Sequence, residues 1–280
     1  MKQTLHRRAL LQRAGLMAAS VPLTALAVDG MWTTPRRLVT THHAFGAEPI
    51  AGREPLRVMH VSDLHLHSIG KLEQLILEQL HETRPDLVVL TGDSVDRPAG
   101  LAALETFLQE CPRGPRVLAI PGNWEYRAKI SSATLRACYE RQGVELLINQ
   151  AVTVEKNGAK LRVTGLDALR GGNPNPLLAL ADLPPAAHHL MLIHCPVIRD
   201  RLQLPPGHCV DLVLAGHTHG GQIAPWGRAI VLPPGSGRYV SGWYRDGGPP
   251  LYISRGLGTS GVPIRLGSTP ELACIDWHLG

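Results

Sequence analysis

The sequence has no Cys-x-x-Cys pair, and its five cysteines (Cys111, Cys138, Cys195, Cys209 and Cys274) are odd in number and widely scattered. A disulfide framework is therefore not expected, and the cysteines read as small core residues. No block of five or six like charges occurs, which argues against a nucleic-acid-binding tail. There is no internal repeat and no low-complexity tract. No apolar run reaches the roughly 20 residues that a membrane-spanning helix needs. What remains is an ordinary globular composition over 280 residues, 44% hydrophobic and 18% charged. Such a composition supports one large α/β domain, or two small ones, and leaves no place for long disorder outside the first fifty residues. The net charge of +5 is modest and compatible with an anionic substrate or membrane surface.

The N-terminus has the layout of an export signal. Arg7 and Arg8 precede an apolar stretch from Ala14 to Val28, and Ala25-Leu26-Ala27 offers small residues for cleavage. The paired arginines resemble the twin-arginine type, whose machinery would be the export partner. That route carries folded proteins, which suits unpaired cysteines in an exported chain. The expected location is periplasmic, or the outer face of the cytoplasmic membrane. Residues 1–27 are thus expected as signal, 28–54 as linker, and 55–280 as the folded domain.

From Leu56 the chain alternates apolar runs of strand length with helical spacing. Strands are expected at Leu56–Val61, Leu87–Leu90 and Arg116–Ile120, and helices at Leu72–His81, Leu101–Leu108 and Thr134–Gln142. The second half turns to hairpin signals. Ala151–Glu155 and Lys160–Gly165 flank Asn157-Gly158. Further strands are expected at His189–Ile193, Asp211–Ala215, Ala229–Leu232, Leu251–Ser254 and Leu272–Trp277. The pattern implies two packed sheets with helices outside.

Polar residues recur directly after the apolar strands, at the edge where α/β sheets bind ligands. Five such segments stand out: Asp63-Leu64-His65, Gly92-Asp93, Gly122-Asn123-Trp124-Glu125, Ile193-His194 and Gly216-His217-Thr218-His219. In an extended segment, residues two apart project to one side, so Asp63 with His65, and His217 with His219, can address one metal site. Asp63, His65, Asp93, Asn123, His194, His217 and His219 exceed what one tetrahedral ion needs. They suit two divalent ions about 3.5–4 Å apart with Asp93 as the bridge. The mixture of oxygen and nitrogen donors favours manganese, iron or zinc over calcium. Among the other histidines, His60, His67, His188, His189, His208 and His278 match no motif and are expected to be structural or exposed, with His67 the one able to reach the rim.

These five segments, in this order, resemble the calcineurin-like metallophosphoesterase superfamily. Gly216–Gln222 and Leu251–Ser260 are similar to a bacterial branch of exported or membrane-associated phosphodiesterases, some related to hydrolases of UDP-2,3-diacylglucosamine. The resemblance implies a four-layer α-β-β-α sandwich of the α/β class with two mixed sheets. It implies Asp63, His65 and His219 on a first metal, Asn123, His194 and His217 on a second, and Asp93 between them. It also implies a bridging hydroxide that attacks phosphorus in line, with Asp93 and Asn123 in the catalytic set.

One position departs from that pattern. The superfamily usually carries His after the Asn of its third motif, and here that residue is Trp124. An indole cannot act as a general acid at neutral pH. General-acid help is typically worth about 10²–10⁴-fold, so a phosphoanhydride or activated diester is the expected substrate class. Trp124 reads as a stacking surface or a packing residue. Arg255 is a candidate phosphate contact. Glu125 is a candidate support for a ligand. Apolar residues at Ile223–Trp226 and Trp243-Tyr244 suggest a rim for a lipid-linked phosphate. The alternatives are a phosphomonoesterase, and a metal-loaded binding protein with little catalysis.

Overall fold

A computed structural model describes residues 28–49 and 51–279; the expected signal segment lies outside the described residues. Among the described residues, twelve strands form two six-stranded sheets. The first contains β1 (Val39–Gly46), β2 (Leu56–Val61), β3 (Leu87–Thr91), β4 (Arg116–Ile120), β5 (Glu145–Leu146) and β12 (Glu271–His278), in the order β1-β12-β2-β3-β4-β5. The second contains β6 (Gln150–Lys156), β7 (Ala159–Gly165), β8 (His188–Leu192), β9 (Leu212–Ala215), β10 (Gly242–Tyr244) and β11 (Leu251–Ile253), in the order β10-β11-β9-β8-β7-β6. Both sheets are mixed. β2, β3 and β4 run parallel to one another, as do β7, β8 and β9. Parallel neighbours end at the same edge, so the segments that follow them meet there.

The central strands are apolar along their whole length because both faces are covered. Val58, Leu87, Val89, Leu118 and Ile120 of the first sheet pack on Leu161, Val163, Leu190, Leu192 and Leu214 of the second. On its outer face the first sheet turns Met59, Val88, Leu90 and Ala119 to three helices, α1 (Lys71–Thr83), α2 (Leu101–Glu110) and α4 (Ser132–Glu140). α1 buries Ile76 and Leu80, one turn apart on one stripe. Glu73 reaches back to accept the backbone N–H of Gly70 at 2.8 Å, and Arg84 in the left-handed region ends the helix before Pro85. The outer face of the second sheet, with Met191, Val213 and Ile253, is covered more thinly. Its cover includes the short α5 (Pro176–Ala179) and a 3₁₀ turn at Pro196–Arg201.

Two expectations need correction. Residues 28–54 are not a free linker: β1 lies within them, paired in parallel with β12. Its inward side chains Thr41, His43 and Phe45 alternate with the exposed His42 and Ala44. Phe45 stacks on Trp243 and meets Trp277 edge-on. With so few apolar residues the strand carries no apolar run by which a sequence reading would find it. Conversely, Ala229–Leu232 is no strand. Ile230 donates its N–H to the Ile223 carbonyl at 3.2 Å, and the segment bounds a cavity instead of joining a sheet.

Candidate metal centre

The site lies at the shared C-terminal edge of the two sheets. Asp63 and His65 follow β2, Asp93 follows β3, and Asn123 opens the short helix α3 (Asn123–Arg127) after β4. His194 follows β8, and His217 and His219 follow β9. Five of these seven residues, Asp63, His65, Asp93, His217 and His219, have positive φ between 46° and 75°. Left-handed backbone at a residue other than glycine costs roughly 1–3 kcal/mol and persists only where the surroundings enforce it. Here the enforcement is visible. Asp63, His65 and Leu66 donate their N–H groups to Gly92, Asp93 and Ser94 carbonyls at 2.8–3.1 Å, locking two loops side by side. Gly92 is required at φ 86°, where a Cβ would fall 2.6 Å from the Gly122 backbone. A Cβ at Gly122 would fall 2.2 Å from an Asp93 carboxylate oxygen.

All seven side chains converge. His65 Nε2 lies 3.2 Å from His219 Nε2, and His219 Nε2 lies 3.4 Å from Asp63 Oδ1. His194 Nε2 lies 3.1 Å from His217 Nδ1, 3.1 Å from Asn123 Oδ1 and 3.2 Å from Asp93 Oδ2. Asp93 Oδ2 also faces His65 Nε2 at 3.8 Å, so one carboxylate stands between the two groups. Ligands about 2.0–2.1 Å from one ion stand a little over 3 Å from each other, so these separations fit metal donors. Two imidazole nitrogens facing each other make a poor hydrogen bond unless one is protonated, but they make good partners for a shared cation. The residues therefore fit two divalent ions: Asp63, His65 and His219 on one side, Asn123, His194 and His217 on the other, Asp93 between. Cys195 Sγ comes close to His194 and His217. It is fully buried in the outer apolar cluster, and burial pushes its thiol up to about 12, so it stays protonated.

The electrostatics match. Burial holds His65 below its ordinary value, and burial together with His194 takes His217 down to about 3. His219 is lowered well below its usual range by burial and by the neighbouring His65 and Arg265. These imidazoles stay neutral, with lone pairs free for a metal. Burial opposes charge on His194 and on Asp93 alike. Yet each stabilises the other's charge, taking the imidazole to about 10 and the carboxyl to about 2. The centre thus calls for positive charge beside Asp93, which a divalent ion supplies far better than one proton. Asp63 is raised by burial, although Ser62 Oγ donates to its Oδ2 at 2.5 Å and the His217 N–H reaches both its oxygens at 3.0–3.1 Å.

Glu125 contacts no ligand side chain. Its buried carboxylate accepts the N–H groups of Ser94 at 2.7 Å and Gly122 at 3.0 Å, tying together the loops that carry Asp93 and Asn123. Trp124 lines the cavity above the centre, edge-on to His65 with ring centres 5.8 Å apart, and Arg127 stacks on its ring at 4.3 Å. Arg255 does not face the cavity: its Nε pairs with Glu271 Oε2 at 3.2 Å. His67 stays on the exposed surface near Asp96.

Arg265 went unnoticed in the sequence. Its guanidinium is fully buried and donates to the carbonyls of Gly258, Arg255 and Ser268, with Nη2 3.2 Å from His219 Nδ1. It braces the last loop against a metal ligand. Nothing local distinguishes it from a surface arginine. His60 was expected to be structural, and it is buried, but it also starts a chain toward the centre. His60 Nε2 lies 2.8 Å from Thr91 Oγ1, which donates to Ser62 Oγ at 2.7 Å, which donates to Asp63.

A cavity of about 380 Å³ opens above the centre. Asp93, Asn123, Trp124, His217 and His219 form its floor, and Ile223, Ile230, Val231, Pro233 and Val262 form an apolar wall.

The sequence profile of the calcineurin-like phosphoesterases matches residues 56–221, the stretch that carries all seven ligands. The chain belongs to this family. It is therefore a metal-dependent phosphoester hydrolase. This phosphoesterase is 30% identical to the uncharacterized metallophosphoesterase YkuE of Bacillus subtilis, over 97% of each chain. It is 28% identical to the phosphodiesterase YaeI of Escherichia coli, over 79% of this chain and 82% of that one. Phosphopantetheinyl hydrolase of Mycobacterium tuberculosis, a solved structure, aligns at 14% identity with a TM-score of 0.42, over 77% of this chain and 96% of that one.

Proposed function

We propose that the chain is a phosphodiesterase for a phosphoanhydride or activated diester carried on a lipid, exported by the twin-arginine machinery to the outer face of the cytoplasmic membrane. The observation that carries this reading is the cavity itself, which sets the ligands Asp93, Asn123, His217 and His219 against an apolar wall. When bound, two divalent ions, here manganese, iron or zinc, acidify water and neutralise charge on phosphate oxygens. The protein's own residues do the rest. Asp93 holds the two ligand groups in one register. Asn123 and His217, at the cavity floor, set where the phosphorus lies.

Trp124 gives the leaving group no proton, because its indole N–H is not acidic near neutrality. A leaving phosphate or aryloxide needs none, whereas an alkoxide does. The apolar wall suits an acyl or prenyl tail beside the scissile bond. A monoester would call on a further cation, and Arg255 is committed to Glu271.

The test is a hydrolysis screen of the chain loaded in turn with manganese, iron and zinc. Its substrates are a nucleotide-diphosphate lipid, a nitrophenyl diester, an alkyl diester and a monoester, with Asp93→Asn as the blank. The reading expects the anhydride and the nitrophenyl diester to turn over. Preference for the monoester, or equal rates on the two diesters, would contradict it.

A further inference from the structure

Large exposed apolar side chains cluster around the mouth of the cavity. Trp226 is 93% exposed, Val231 73% and Ile230 65%, with Val262 beside them. Exposed patches of this kind mark a binding surface. Their segments are bonded to one another and to the N-terminal turn Asp29–Thr33. Ile230 N–H donates to the Ile223 carbonyl, Ala224 N–H to Leu266, Leu266 N–H to Gln222, and Arg265 N–H to Gly30, at 2.7–3.2 Å. The turn adds Trp32, 63% exposed, with the Arg36 guanidinium stacked on its ring at 4.6 Å.

Apart from Asp29, which accepts the Thr34 hydroxyl at 3.0 Å, the charge on this face has one sign. Residues 30–37, 222–233 and 258–268 contain no Asp or Glu, while Arg36, Arg37 and Arg228 are exposed. Exposed tryptophan with arginine beside it suits the boundary between headgroups and acyl chains. The described chain begins here, at Val28, the last residue of the apolar stretch Ala14–Val28 in the sequence.

We infer that this face seats the protein on a bilayer surface containing anionic lipids, with Trp226 and Trp32 in the interface and the mouth of the metal cavity toward the headgroups. It rests on the reading of that cavity as a site for a lipid-linked phosphate. It adds how such a substrate arrives: laterally from the membrane, with its tail passing along Ile230 and Val231 instead of leaving the bilayer.

Tryptophan quenching tests this directly, because residues 1–27 contain no tryptophan and cannot contribute signal. The full-length chain is mixed with vesicles of phosphatidylcholine and a minority of phosphatidylglycerol, with either brominated or ordinary acyl chains. Emission is expected to fall with the brominated lipid. The loss should vanish in the Trp32→Phe, Trp226→Phe double variant, since neither residue lines the cavity. Hydrolysis of a soluble nitrophenyl diester by the Trp32→Phe single variant should stay within about twofold of the parent, as for surface changes away from the site. Equal emission with both lipids overturns the docking face, as does quenching that persists in the double variant. A dimer in buffer without quenching assigns the face to a second copy and likewise overturns it. If the parent quenches but hydrolyses no diester, the docking face stands and the hydrolase reading of the cavity fails.

Discussion

Single residues carry the chemistry, and Trp124 is the most informative of them. It occupies the place of the family's usual histidine, lines the cavity, and sits between His65 and the Arg127 guanidinium. Replacing it with histidine would restore a group able to donate a proton. Trp124→His is expected to speed an alkyl diester relative to a nitrophenyl diester by about 10–100-fold, part of the range general acids supply. An unchanged ratio of the two rates would show that leaving-group protonation does not limit this enzyme. The seven ligands were legible in the sequence because each directly follows an apolar run and together they repeat a known order of motifs. Arg255 and Arg265 were not. The first is a lone arginine whose partner, Glu271, lies across a loop. The second is fully buried among carbonyls that only the folded loop assembles.

At the level of elements, the strands that end at the site announce themselves by burial on both faces, which demands continuous Val, Leu and Ile. The edges of the sheets obey other rules. β1 was invisible because a half-buried edge strand needs only every second side chain, and here those are Thr41, His43 and Phe45. It is nonetheless bonded into both sheets: Thr41 donates to Glu271 at 2.8 Å, and His43 Nε2 lies 3.0 Å from the Tyr252 hydroxyl. Phe45→Ala removes a ring that packs on Trp243 and Trp277. It should cost about 2 kcal/mol in urea unfolding, less than a fully buried Phe because Phe45 is only partly buried. The rate on a nitrophenyl diester should not change. A cost near zero would mean that β1 is not docked as described. The opposite error, a strand expected at Ala229–Leu232, arose because an apolar run can serve a cavity wall as well as a sheet.

Across the whole molecule, stability is tied to the polar chain that runs from His60 through Thr91 and Ser62 to Asp63. His60 is the first member of that chain, wholly buried, and burial takes its pKa from 6.5 to about 4. The folded state holds the ring neutral, whereas the unfolded chain takes up a proton below 6.5. The stability it contributes is therefore full above pH 6.5 and is lost as the pH falls toward 4, by about 3 kcal/mol in all. His60→Gln keeps a hydrogen-bond donor for Thr91 without titrating. Urea unfolding at pH 7 and pH 4.5 should show a smaller acid loss in the variant than in the parent. Equal losses would place the acid sensitivity elsewhere.

The central claim is that seven side chains drawn from both sheets hold two divalent ions. Elemental analysis of the purified chain and of Asp93→Asn tests it most directly. The parent chain should hold about two transition-metal ions. The variant should show a clear deficit, with affinity lowered at least as far as the roughly 10–100-fold that follows loss of a mere supporting residue. A parent chain that takes up no stoichiometric transition metal under any loading condition would contradict it, as would a variant that binds both ions undiminished.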